Sequence, residues 1–150
     1  MDIEYRKATS KDIDYLLMLR KESMTPHIQA EGLTQDDEEH LNRIKLRFDS
    51  AKIISVKGKV CGLLKLVEEG DEWDLIQIQI DTHFRGKGIG QRVIKDVLKR
   101  AFASGASVKL SVLRSNPAKK LYEKLGFKPY MQTDTTFEMR AVVSSPPGFE

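Results

Sequence analysis

The apolar positions change period several times along the chain, and each change marks an element. Residues 3–8 read as a short strand, after which Thr9 or Ser10 can cap a helix by offering a side-chain oxygen to a free first-turn amide. Ile13, Leu16, Leu17 and Arg20 fall at helical spacing and predict a helix to about Met24 with one apolar face. Residues 25–34, with Pro26 and Gly32, read as a loop. Thr34 then caps a second helix carrying Leu41, Ile44 and Phe48, and the acids at 36–39 favour its positive amino end. The middle is strand: Ile53 to Val56 and Lys59 to Val67 flank Lys57-Gly58, a two-residue link suited to a hairpin because glycine tolerates positive φ. A turn at Glu69-Gly70-Asp71 leads into residues 73–80, with Ile76, Ile78 and Ile80 on one face and Gln77 and Gln79 on the other. Those two amides either line a wet groove or face solvent.

A glycine-rich turn at 86–90 opens the longest predicted helix, 88–104, in which Ile89, Val93, Val97 and Ala101 recur every four residues. Val108, Leu110 and Val112 alternate as a strand over 107–113. Asn116-Pro117 opens a helix with Ala118, Leu121, Tyr122 and Leu125, ended by Gly126 at a left-handed capping position. Residues 127 to about 139 supply one or two last strands, and about 141–150 form a flexible tail. The strand 73–80, helix 88–104 and strand 107–113 make one right-handed crossover with parallel strands.

At 150 residues, 40% hydrophobic and 31% charged, the chain suits one soluble globular domain. It has no apolar run long enough to span a bilayer, and its first residues are acidic where a leader would be basic and then apolar. One cysteine, Cys61, excludes an internal disulfide and gives no reason to invoke an oxidising compartment, so the cytoplasm is expected. Net charge is distributed unevenly. Residues 1–84 hold 12 Lys and Arg against 17 Asp and Glu, whereas residues 85–128 hold 12 against 2. Part of that basic block is solvated helix surface. Beyond that, it fits either a phosphate-bearing small molecule or a nucleic acid backbone.

The glycine turn Arg85-Gly86-Lys87-Gly88-Ile89-Gly90, between a strand and a helix, has the make-up of a phosphate site. Without β-carbons the backbone can wrap an anion with its amides, and the helix amino end adds roughly half a positive charge. No Gly-x-x-x-x-Gly-Lys-Ser/Thr run exists, and a dinucleotide fingerprint would need glycine where Gln91 stands. The spacing that fits is Arg-x-x-Gly-x-Gly, from Arg85 to Gly90.

On this turn, and on Asn116 followed by Tyr122-Glu123-Lys124-Leu125-Gly126-Phe127, the sequence resembles the GNAT superfamily of acetyl-CoA-dependent N-acetyltransferases over about 73–128. The element order and the opening Tyr5-Arg6-Lys7-Ala8-Thr9 extend the likeness more weakly over most of the chain, while Thr82 and Asp74 stand where many members have Pro and Glu. The resemblance implies an α/β fold with a mixed, mostly antiparallel sheet splayed between two parallel strands and helices on both faces. It also implies transfer of an acetyl group from acetyl-CoA to a primary amine of a small molecule or peptide, with no metal, by a monomer or homodimer. Arg85, Gly86, Lys87, Gly88, Ile89, Gly90 and Gln91 would then take the coenzyme's diphosphate, and backbone near Ile80 its pantetheine arm.

Each implied role has a plainer reading beside it. Tyr122 would be the general acid, since a phenol of ordinary pKa about 10 stays protonated at neutral pH, but it also sits on the buried stripe of a helix. Asn116 would contact the pantetheine arm, or it simply caps the helix before Pro117. Asp74 is a candidate base, directly or through water near Gln77 and Gln79, or a solvated strand residue. His27, His40 and His83 share no metal-ligand spacing and read as surface residues; Cys61 and Trp73 read as packing. A nucleic-acid-binding module is disfavoured because the basic segment lacks an aromatic platform, and a non-catalytic coenzyme-binding regulator remains the other alternative. Acids at Glu22, Glu31 and 36–39 could attract a cationic amine or merely begin a helix.

Overall fold

A computed structural model describes residues 2–30 and 37–143. The Thr34 cap, Glu31, Gly32 and the tail from 144 lie outside the described residues, as does the side chain of His27. The elements are β1 (Ile3–Lys7), α1 (Ile13–Ala30), α2 (Asp37–Lys45), β2 (Ala51–Val56), β3 (Lys59–Val67), β4 (Glu72–Ile80), α3 (Ile89–Ala103), β5 (Ser107–Leu113), α4 (Ala118–Lys124), β6 (Lys128–Gln132) and β7 (Thr136–Ala141). The sheet is mixed and seven-stranded, in the order β1-β2-β3-β4-β5-β7-β6. The chain groups into two compact units, residues 1–65 with 77–90 and residues 66–76 with 91–150.

In the first unit, β1 runs antiparallel to β2 from Ile3↔Val56 to Lys7↔Lys52, and β2 antiparallel to β3. Lys57 and Gly58 both take positive φ, at 51° and 78°, the signature of the tight hairpin that the two-residue link predicts. Thr9 and Asp12 form a reciprocal capping box ahead of α1, and Arg6 grips the Asp12 carboxylate with two bonds of 2.7 and 2.8 Å. Helix α1 continues past Pro26 to Ala30 instead of yielding to a loop at residue 25. Proline removes one helical hydrogen bond, a local cost that the surrounding helix absorbs here. The apolar core gathers Leu16 and Leu19 of α1, Ile44 of α2, Ala51 and Ile53 of β2 and Leu63 of β3.

Lys65 and His40 are two of the polar side chains buried in this unit. Lys65, 2% exposed, donates its ammonium to the carbonyls of Arg43, Ile44 and Leu46 at 3.3, 3.1 and 2.7 Å, and so caps the end of α2. His40 is buried rather than on the surface, its Nδ1 accepting from Arg20 Nε at 3.1 Å. That bond leaves the ring neutral, and burial lowers the pKa of His40 further.

In the second unit, β4 and β5 pair in parallel from Glu72↔Ser107 to Leu75↔Leu110, the strand pairing that the predicted crossover requires, and the helix between them in the chain is α3. β5 pairs antiparallel with β7, which in turn pairs with the edge strand β6. The two last strands fall within the stretch from Phe127 onward. Val93, Ile94, Val97, Leu98 and Ala101 of α3 and Val108, Leu110 and Val112 of β5 are buried, as their periodicity predicts.

Candidate active site

Strand β4 delivers the chain into the glycine turn. Gly62 of β3 permits close approach there, because a Cβ on it would lie 2.3 Å from the Gln79 carbonyl oxygen. The Asp81 amide donates to the Cys61 carbonyl at 2.7 Å, and Arg85 Nε donates back to the Ile80 carbonyl at 3.1 Å, closing the bend. Gly86 and Gly88 then take positive φ of 77° and 75°, conformations that cost any other residue strain, and nothing lies within 4 Å of where their side chains would be. Gly90 sits against Ile80, a Cβ there reaching Ile80 Cγ1 at 3.7 Å.

Among the described residues, no backbone hydrogen bond outside the helices and strands uses the amides of Gly86, Lys87 or Gly88. The next amides, of Ile89 and Gly90, open α3, where the first turn has no intrahelical acceptors. Consecutive unspent donors at a helix amino end suit an anion of diphosphate size. Lys87 lies over the Phe84 ring, its ammonium 5.5 Å from the centroid, on the exposed rim of the turn. Just before the turn, the buried Gln79 Oε1 has no hydrogen-bond partner among the described residues, an acceptor that an amide N–H of a bound arm could satisfy. Gln77 and Gln79 are both half-buried, so neither simply faces solvent. These features fit a coenzyme carrying a diphosphate and an amide-bearing arm.

In the second unit, Tyr122 is placed by the way α4 ends. Gly126, at φ 104°, donates to the Glu123 carbonyl at 3.1 Å, and Phe127 donates to the Tyr122 carbonyl at 3.0 Å. This is a Schellman closure, and the apolar contact that accompanies it is Tyr122 against Phe127, ring centroids 5.8 Å apart at 65°. The Tyr-x-x-x-Gly-Phe spacing therefore encodes a fixed tyrosine as well as a helix end. Tyr122 is half-buried, its hydroxyl bonds to no group among the described residues, and burial raises its pKa, so the phenol carries its proton throughout the neutral range. Asn116 uses its side-chain oxygen to accept from the Ala118 amide at 2.9 Å, which is the capping role, and leaves its NH2 group for another acceptor. Asp74 stands in register with Lys109 of β5, on the face of β4 opposite the buried Trp73 and Leu75. Gln91 is half-buried in the first turn of α3. Ile80 and Arg85 to Gly90 thus come together in the first unit, while Asp74, Gln91, Asn116 and Tyr122 belong to the second.

Sequence reasoning passed over Asp81 and Tyr15. Asp81 follows β4, is 6% exposed, and accepts from the His83 amide at 3.0 Å and from the Tyr15 hydroxyl at 3.4 Å, while its Oδ1 lies 2.8 Å from His83 Nδ1. Burial alone would raise the Asp81 pKa, but the bonds from the His83 amide and ring outweigh it and hold the carboxyl ionised. Burial, and then the Asp81 charge, pushes the Tyr15 phenol well above its ordinary value. An acid between a strand and a glycine turn was the available signal. No three His, Cys, Asp or Glu residues among those described are grouped to hold a metal, and no described helix is long and apolar enough to cross a membrane.

A family model for the acetyltransferase (GNAT) domain matches residues 49–129, over half of the chain. No curated protein matches at the sequence level. Among solved structures, the chain is similar to the PaiA N-acetyltransferase of Thermoplasma acidophilum in complex with coenzyme A, at 22% identity and TM-score 0.71, covering 95% of this chain and 99% of that one. An acetyltransferase from Thermus thermophilus aligns with TM-score 0.73 at 20% identity, over 93% of this chain and 96% of its own. The ribosomal-protein-S18-alanine N-acetyltransferase of Escherichia coli aligns over 99% of both chains, with TM-score 0.69 and 17% identity. At these identities the likeness speaks to the fold.

Proposed function

The chain belongs to the GNAT acetyltransferase family, and on that premise we propose that it moves the acetyl group of acetyl-CoA to a primary amine by direct attack. Bound acetyl-CoA would supply an acyl group activated as a thioester. Everything else falls to this chain's own residues. The amides of Gly86 to Gly90, at the amino end of α3, would hold the diphosphate, and Arg85, Lys87 and Gln91 would flank it. Backbone at Ile80 and the Asn116 amide would orient the pantetheine arm. Holding two reactants side by side and meeting the developing oxyanion with fixed backbone dipoles would supply most of the acceleration. The Tyr122 hydroxyl, protonated at neutral pH and without a hydrogen-bond partner among the described residues, would donate its proton to the departing sulfur. Asp74 would take the proton of the incoming amine, directly or through water.

One observation carries this reading: two glycines at positive φ leave consecutive amides unspent where a strand turns into a helix. An amine panel with acetyl-CoA, read by thiol release, tests it. Turnover is expected on at least one amine, and Tyr122→Phe should lower kcat by about 100-fold with little change in KM for acetyl-CoA. Coenzyme A binding without turnover on any amine would favour a non-catalytic coenzyme-binding protein. For the base, the Asp74→Asn variant should lose the acidic limb of the rate–pH profile, and an unchanged profile removes Asp74 from the chemistry.

A further inference from the structure

We propose that Asp81 is a positioning residue for the coenzyme turn, acting through Tyr15 and His83 to fix the direction in which the chain leaves β4. This rests on the coenzyme reading above. Asp81 is committed at every polar group it has. Its carboxylate takes the Tyr15 hydroxyl at 3.4 Å on one oxygen, and on the other the His83 amide at 3.0 Å and ring Nδ1 at 2.8 Å. Its amide donates to Cys61 of β3 at 2.7 Å, and its carbonyl accepts from the Phe84 amide at 2.8 Å. One residue thereby joins α1, β3 and the turn that precedes Arg85. A second tie follows at once, Thr82 Oγ1 donating to Glu22 Oε1 at 3.1 Å. Tyr15 and Glu22 are seven residues apart on α1 and so share a face of the helix.

Burying a carboxylate is unfavourable by several kcal/mol unless charge-assisted bonds offset it, and an apolar residue would fill the space at less cost. What the carboxylate adds is direction. It accepts from the main chain two residues ahead, making the turn at 82–84 a closed unit, so the glycines that follow start from a fixed point. The groups facing it are Tyr15 from α1, Cys61 from β3 and His83 from the turn itself, while the Glu22 charge acts on Tyr15 and His83. The His83 ring, otherwise exposed, straps the carboxylate from outside and has its pKa raised by that contact.

The test is calorimetric titration of coenzyme A into the wild-type chain, Asp81→Asn, Tyr15→Phe and His83→Ala, with KM for acetyl-CoA and kcat measured on each. Asp81→Asn is expected to weaken coenzyme A binding about tenfold or more, since bonds to an ionised acceptor are the strong ones, with KM following and kcat falling far less. Tyr15→Phe and His83→Ala should each weaken binding about two- to fivefold. A folded Asp81→Asn variant with wild-type affinity, or with kcat lowered and KM unchanged, would overturn the assignment. Should Asp81→Asn not fold, wild-type affinity in both of the other variants overturns it equally. Failure of the wild-type chain to bind coenzyme A would instead overturn the functional reading itself, and this assignment with it.

Discussion

The two units hold themselves together in different ways. Among the described residues, every buried charged or polar side chain, namely Asp12, Arg20, His40, Lys65 and Asp81, lies in the first unit. The second unit buries apolar side chains and keeps its ion pairs, such as Arg100 with Glu68 and Lys119 with Glu123, at the surface. The difference teaches where specificity is stored. An apolar interior accepts many sequences of similar volume. A buried ammonium that closes a helix, or a buried carboxylate that starts a turn, works only with its own partners in place.

The sharpest way to break this contrast is to replace one buried residue in each unit with methionine. Lys65→Met leaves three carbonyls of α2 without their donor and should cost about 3 kcal/mol in urea unfolding. Leu110→Met keeps the volume and chemistry of its site in β5 and should cost under about 1.5 kcal/mol. Equal losses would erase the distinction.

A smaller effect is expected at the capping box. Arg6, with help from Thr9, lowers the Asp12 carboxyl from 3.8 to about 2, against the opposing pull of burial. A carboxyl lowered on folding stabilises the fold fully above its unfolded pKa and ceases to do so as pH falls through the folded one. Asp12→Asn should therefore cost about 1 kcal/mol at pH 6, modest because Arg6 is half exposed, and the gap to wild type should close between about pH 4 and 2. A gap independent of pH would show that the ion pair contributes nothing. The smallest effect belongs to the second unit's surface. Arg100→Ala gives up its pair with Glu68 and its place over the Trp73 ring, and should change stability by under about 1 kcal/mol.

The same contrast explains what could be read in the residues alone. The second unit was legible because period and punctuation decide it: Val93, Val97 and Ala101 at helical spacing, Val108, Leu110 and Val112 alternating, and Gly126 ending α4. The glycine turn was legible because only glycine takes positive φ cheaply at 86 and 88. The first unit's polar interior was not. Lys65 within a strand and His40 on a helix look like surface residues until α2 supplies carbonyls to one and α1 supplies Arg20 to the other, partners 19 to 22 residues away. Asp81 was hidden for the same reason, since Tyr15 lies 66 residues before it. Pro26 shows the opposite failure, a strong local signal that the helix overrides.

The central claim is that the amides of the glycine turn grip the diphosphate of coenzyme A. The most direct test is to follow the backbone amide resonances of Gly86, Gly88 and Gly90 by NMR while adding coenzyme A and, separately, pantetheine, which lacks the diphosphate. The account predicts that coenzyme A shifts all three and that pantetheine leaves them in place. Coenzyme A that binds without moving these resonances would contradict it.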